Sequence, residues 1–150
     1  MKAVIQRVKS SRVSINGNIH SEIQQGMLIL LGIGHQDDIT DIEWLCKKIV
    51  DMRIFDDENG VMNLNIKTID GDCLVISQFT LFASTKKGNR PSYVRAAPPA
   101  VAEPLYEKFL KTLSILLGKK VKSGVFGADM KVELLNDGPV TILIDTKIKE

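Results

Sequence analysis

One continuous apolar run, Met27-Leu28-Ile29-Leu30-Leu31-Gly32-Ile33-Gly34, constrains this chain more than any other segment. It is far shorter than the roughly 18–20 residues that cross a bilayer as a helix. It also lacks the alternation of a strand with one wet face. The run therefore predicts a strand buried on both faces and is a candidate for a subunit contact. Such a strand needs apolar material on two sides of its sheet. The chain can supply it, since 44 % of its 150 residues are hydrophobic and 25 % charged. Those values are ordinary for one soluble domain spanning residues 1–150. Burial of about 68–70 % of the unfolded surface makes a disulfide or metal staple unnecessary. A net charge of +2 argues against global disorder and leaves the choice of partner open.

Two short strands are expected at Ala3–Val8 and Arg12–Ile15, followed by a hairpin turn at Asn16-Gly17-Asn18. Thr40 and Glu43 have the spacing of a capping box. Ile42, Leu45, Cys46, Ile49 and Met52 then continue with helical period, to an end near Arg53–Phe55. Asp56-Asp57-Glu58-Asn59-Gly60 reads as a solvated turn, without the spacing of a calcium loop. Cys73–Phe82 is a strand whose end turns polar, and residues 84–98 form a loop. Ala100–Leu117 is a second helix, with Pro104 in its first turns. Short strands are expected at Val121–Val125, Lys131–Leu135 and Val140–Asp145, the last two joined by Asn136-Asp137-Gly138-Pro139. The order predicts an α+β domain: a mixed or antiparallel sheet with two main helices packed on it. The opening residues break their apolar run with Gln6 and Arg7, unlike a signal peptide. Cys46 and Cys73 form no CxxC, so a reduced cytoplasmic protein without a membrane segment is expected.

The usual catalytic signatures are missing. Gly32-Ile33-Gly34 continues into His35-Gln36-Asp37 and fails the dinucleotide fingerprint at its third glycine. His20 and His35 have no partner at metal-ligand spacing, so no metal is expected. No serine stands in GxSxG. A conventional serine or cysteine hydrolase would have to use Cys73, His20 or His35. More informative is the interval between Asp72 and Glu103, which holds no acid but carries Lys86, Lys87, Arg90 and Arg95. An acid-free basic loop is a phosphate contact or a solvated loop with a chance bias. Tyr93 within it has the chemistry to stack on a base, or simply packs. Two further segments break their local pattern: Ser77-Gln78-Phe79-Thr80, and Asn136-Asp137-Gly138-Pro139-Val140-Thr141. On base rates alone the Gly138–Pro139 peptide is expected to be trans.

Ser77-Gln78-Phe79-Thr80-Leu81 together with Asn136-Asp137-Gly138-Pro139-Val140-Thr141 resembles the paired motifs of the D-aminoacyl-tRNA deacylases. The similarity also covers Ala3–Val8, Thr85–Ser92 and Gly124–Met130, and so nearly the whole chain. The resemblance implies a cytoplasmic homodimer without a cofactor, acting on aminoacyl-tRNA. It would hydrolyse the ester that joins a D-amino acid, or glycine, to the tRNA 3′ end. It implies a cis Gly138–Pro139 that reaches into the partner subunit's site and rejects L-aminoacyl substrates. It assigns catalysis to Ser77, Gln78, Phe79 and Thr80, with the Thr80 hydroxyl as nucleophile or as a positioning group. It assigns the aminoacyl-adenosine end to Phe126, Met130 and Ala102, and support of the Gly-Pro motif to Arg7. Lys86, Lys87 and Arg90 are the expected tRNA contacts. A nucleic-acid-binding module without catalysis is the competing reading, and the same basic loop supports it.

Overall fold

The computed structural model describes residues 1–149. In chain order the elements are β1 (Lys2–Ile15), β2 (Asn18–Ile23), β3 (Gly26–Gly32), α1 (Ile39–Asp51), β4 (Phe55–Asp56) and β5 (Met62–Leu64). They continue as β6 (Asp72–Ser77), a 3-10 turn (Phe79–Phe82), α2 (Pro99–Leu117), β7 (Lys122–Ser123) and β8 (Lys131–Asp145). The apolar run becomes β3, at the centre of a mixed six-stranded sheet. It pairs antiparallel with β1 (Ala3↔Leu31) and parallel with β6 (Met27↔Cys73). On the other edge of β1 lies β8, paired from Lys2↔Asp145 to Ser14↔Lys131. The domain is α+β, as expected.

Alternation along the central strands divides the core in two. Met27, Ile29 and Leu31 join Ala3, Ile5, Cys73 and Val75 beneath Ile42, Leu45 and Ile49 of α1 and Tyr106, Phe109 and Leu113 of α2. Leu28, Leu74 and Ile76 belong to a second cluster with Val8, Val13 and Ile23. A hydrogen bond from Ser21 Oγ to the Ser123 carbonyl (2.6 Å) ties β2 to β7 and curls the sheet over that second cluster. Burying a side chain such as Leu28 contributes about 1.5–3 kcal/mol, which is why the run can have no polar position.

Several local expectations are corrected. Residues 2–15 form one strand, not two, because β1 has a hydrogen-bonded neighbour on each edge for most of its length. Residues 131–145 likewise form one strand. The polar stretch around Asn136–Pro139 becomes a pair of register shifts rather than a turn, since pairing with β1 resumes beyond it. The Gly138–Pro139 peptide is cis, against the base-rate expectation. The capping box of α1 is built from Asp38 and Asp41. Asp38 Oδ1 accepts from the Thr40 amide (2.8 Å), and Asp41 Oδ2 accepts from the Asp38 amide (2.9 Å). Thr40 is thus a donor inside the first turn. The helix ends at Asp51, where Met52 turns extended, short of Arg53–Phe55. Residues 78–82 leave the β6 ladder, and 79–82 wind into the 3-10 turn, so that strand stops at Ser77. Helix α2 begins at Pro99, and Pro104 lies inside it. The acidic turn is closed by Asp57 Oδ1, which accepts from the Asn59 and Val61 amides. Among the described residues no helix is long and apolar enough to cross a membrane.

Ion pairs pin the chain's two ends to the helix layer. The Met1 α-ammonium donates to Asp37 Oδ1 and Thr146 Oγ1, both at 2.6 Å. The Lys147 ammonium donates to Asp41 Oδ2 at 2.8 Å. Burial raises the Asp41 carboxyl, but hydrogen bonds from Lys147, Thr146 and the Asp38 amide outweigh it and bring the group down to about 2. A depressed carboxyl stabilises the fold above its unfolded value, and that contribution is lost as pH falls through the folded value. Urea midpoints measured between pH 5 and pH 2 are therefore expected to fall more steeply for the wild type than for Asp41→Asn. Parallel slopes would remove Asp41 from the acid response.

Candidate active site at the ends of the parallel strands

Strands β3 and β6 run parallel and finish side by side, with Leu31 opposite Ser77. The chain then turns over their ends. The Gln78 amide donates to the Leu31 carbonyl (2.7 Å), and residues 79–82 form the 3-10 turn. This turn lies close against the end of β3. A Cβ on Gly32 would come 3.0 Å from the Gln78 carbonyl oxygen, and one on Gly34 would come 2.8 Å from the Phe82 ring. The two glycines of the failed dinucleotide fingerprint are therefore required for packing, because only a missing side chain leaves room for the turn.

The turn forms one wall of a cleft of about 390 Å³. Ser77, Gln78 and Phe79 supply that wall, and Leu31 and Ile33 come from the end of β3. Tyr93, Ala96 and Ala97 line another side, with Pro99 and Ala102 from the start of α2, and Phe126 and Gly127 complete it. Thr80 is half-buried beside the lining, and its Oγ1 accepts a hydrogen bond from Gln78 Nε2 (2.6 Å). The Phe79 and Thr80 amides stand at the start of the turn, where a helical amide has no acceptor within its own turn. Phe126 leans on Tyr106 with ring centroids 5.9 Å apart. The Tyr106 hydroxyl donates to the Val75 carbonyl (2.9 Å), and burial raises its ionisation well above the usual range. Among the described residues no carboxylate or imidazole lines the cleft.

Other expected site residues lie elsewhere. Met130 packs its sulfur against Gly124 and borders the second core cluster, outside the cleft lining. Gly138 and Pro139 are exposed on β8 beside Arg7. Along β1, Arg7 is four residues from Ala3, the neighbour of Leu31, which separates the motif from the cleft by about 13 Å of strand. The Arg7 side chain is almost fully buried. Its Nε donates to the Asp137 carbonyl (2.9 Å), and its Nη1 donates to the Ile54 carbonyl (2.8 Å) and to Asp56 Oδ1 (3.1 Å). Arg7 thus holds the residue before Gly138, not the Gly-Pro carbonyls themselves. Gly138 has φ +126°, and a Cβ there would come 3.1 Å from Arg7 Nη2. Lys86, Lys87 and Arg90 are exposed on a loop closed by reciprocal amide–carbonyl bonds between Ser84 and Ser92 (2.8 and 2.9 Å). Sequence reasoning did not single out Ile33, Ala96 or Ala97, because small and apolar residues carry no chemical signal.

With this geometry in place, similarity to known proteins is decisive. Residues 4–145 match the family model described as D-Tyr-tRNA(Tyr) deacylase. The chain belongs to the D-aminoacyl-tRNA deacylase family. It is 67 % identical over its full length, and that of the relative, to a D-aminoacyl-tRNA deacylase of Bacteroides fragilis. It is 61 % identical, again over all of both chains, to one of Porphyromonas gingivalis. Its structure matches that of a c-Myc DNA unwinding element binding protein with TM-score 0.92 and 39 % identity, covering 97 % of this chain and 98 % of that one. A probable eukaryotic D-amino acid tRNA deacylase shares the fold, with TM-score 0.80 and 16 % identity over 95 % of this chain and 97 % of that one. Members of this family are hydrolases.

The two thiols lie outside the lining of this cleft. Cys46 and Cys73 are free and buried, and burial pushes both up to about 12. A thiol in that state supplies almost no thiolate at neutral pH. His20 is exposed on β2, and His35 Nε2 lies 2.9 Å from the Val94 carbonyl oxygen; both are outside the cleft lining. The native protein is expected to resist a disulfide-exchange reagent at pH 8 and to react at both cysteines only after denaturation. Rapid labelling of a native thiol would contradict this burial.

Proposed function

We propose that this chain hydrolyses the ester linking a D-amino acid to the 3′ end of tRNA, as a homodimer. The named relatives carry the choice of substrate. The chemistry of the cleft supports it. An aminoacyl ester is already activated, so water can attack without a strong nucleophile. The tetrahedral oxyanion that forms is stabilised by the amides of Phe79 and Thr80, each such donor contributing about 2.7–4 kcal/mol. Thr80 Oγ1 accepts from Gln78, which leaves its own proton to orient substrate or water. A positioning role therefore fits Thr80 better than a nucleophilic one, since among the described residues no base is hydrogen-bonded to it. The 2′-hydroxyl of the terminal adenosine helps to activate water. Collapse breaks the bond to the ribose 3′-oxygen, which takes the proton, and a free amino acid leaves.

Discrimination between hands is assigned to the partner's Gly138 and Pro139. On their own chain these residues are strands away from the cleft, yet they are exposed and rigidly supported. Strand β8 has an outer edge that no strand covers among the described residues, and Leu134, Leu135 and Leu143 are exposed along it. A long edge with apolar side chains favours association with a second copy. Backbone carbonyls presented by the partner would accept the substrate ammonium. A D side chain then points to solvent, and an L side chain meets main chain that cannot rotate aside. Glycine has no side chain to exclude, so glycyl-tRNA is accepted too.

A second reading, nucleic-acid binding without hydrolysis, is favoured by one observation: the exposed basic loop 85–91. Release of labelled tyrosine from D-Tyr-tRNA and L-Tyr-tRNA, with chelator present, separates the two. The deacylase reading predicts loss of the D ester alone. Gly138→Ala, with a Cβ against Arg7 at φ +126°, is expected to lower the D rate by about 100-fold. Retention of both esters would move the assignment to the binding module.

A further inference from the structure

The mouth of the cleft carries two aromatic rings that neither the core nor the hydrolysis uses, although the Phe79 amide serves the latter. Phe79, from the turn after β6, and Tyr93, from the segment after the basic loop, meet edge to face with centroids 5.0 Å apart and planes at 73°. Both line the cleft, yet Phe79 is 56 % and Tyr93 38 % exposed. Aromatic rings bury large areas when they serve a core, and these two leave much of that area in water. Edge-to-face contact also leaves ring surface uncovered. Tyr93 directly follows Ser92, the residue that closes the loop bearing Lys86, Lys87 and Arg90. No acidic residue occurs from Cys73 to Ala102 to oppose those cations. The Phe79–Tyr93 pair thus adjoins both the cleft and the base of the loop that carries those cations.

Cations beside exposed aromatic rings are the make-up of a single-strand site, because unpaired bases stack while phosphates are neutralised. The interior of a duplex offers no free base face and would use the cations alone. We propose that the Phe79–Tyr93 pair is a stacking platform for the unpaired nucleotide preceding the terminal adenosine of tRNA, with Lys86, Lys87 and Arg90 on the adjoining phosphates. The inference rests on the deacylase reading for the identity of the nucleic acid. It adds a site outside the reacting centre that recognises the unpaired character of the 3′ end. Tyr93 is a binding residue on this account, not a catalytic one.

The test uses deacylated tRNA carrying 2-aminopurine at the penultimate position, so that it does not depend on hydrolysis. Binding to the wild type and to Tyr93→Phe is expected to change the fluorescence of that base. Tyr93→Leu is expected to abolish the change and weaken binding by about 5- to 100-fold, the range of one lost base–aromatic stack. Lys86→Ala should weaken binding while the change at saturation persists. With an abasic penultimate position, wild type and Tyr93→Leu should bind alike. On D-Tyr-tRNA, Tyr93→Leu should raise KM more than it lowers kcat. An unchanged signal in the wild-type complex, or the same loss from Tyr93→Leu on abasic tRNA, would overturn the platform. Stacking without any D-ester cleavage would overturn the deacylase reading and leave the platform standing.

Discussion

A guanidinium with almost no solvent around it governs how this molecule is assembled. Arg7 is 5 % exposed in the middle of β1, between the fully buried Ile5 and Val8. A buried charge is tolerated only when its donors are satisfied, and losing a partner costs several kcal/mol. Arg7 meets that requirement with the Ile54 carbonyl and Asp56 on one side and Asp137 on the other. The same three contacts fasten the chain beyond α1 and the distorted middle of β8 to the central sheet. Asp137 Oδ2 also lies 3.5 Å from Arg7 Nε and 3.3 Å from Lys9 Nζ. The backbone just before Gly138 is therefore held from its carbonyl and its side chain together. An exposed segment acquires the rigidity of a buried one.

The cleft has a different origin. Two parallel strands end at the same level, and the chain must cross their ends to leave the sheet. Gly32 and Gly34 let it cross at close range, so the turn presents two amides beside an apolar hollow. Among the described residues charge is absent from that lining, while the loop 84–92 carries Lys86, Lys87 and Arg90. An activated ester brought by a polyanionic carrier needs this division. On the proposed reading, attraction acts at the loop, and fixed dipoles act at the reacting carbonyl, where a low dielectric strengthens them.

Much of this was legible in the sequence where one period dominated. The unbroken run at residues 27–34 forecast burial on both faces, and the spacing Leu45, Cys46, Ile49 forecast the buried face of α1. What was not legible depended on a distant partner. Asn136–Pro139 has turn chemistry, and only its pairing with β1 keeps it in a strand. Thr40 and Asp38 are both good cap residues, and the three-dimensional path before the helix chose Asp38. Ser77, Gln78, Phe79, Ala102 and Phe126 were named from motif resemblance and converge on one cleft, whereas Met130 packs away from its lining. Tyr93 was marked as a stacking candidate by its place among cations, but nothing local predicted its contact with Phe79.

The central claim is that each working site combines the cleft of one subunit with the Gly138–Pro139 motif of the other. Mixing two inactive variants tests it most directly. Ala102→Phe fills the cleft and leaves the motif, and Gly138→Ala disturbs the motif and leaves the cleft. After subunits are exchanged at equal amounts, the account predicts recovery of about one quarter of wild-type activity on D-Tyr-tRNA. Half of the dimers are then mixed, and each mixed dimer restores one of its two sites. If the exchanged mixture is no more active than the separate variants, the motif acts within its own chain and the shared-site account is wrong.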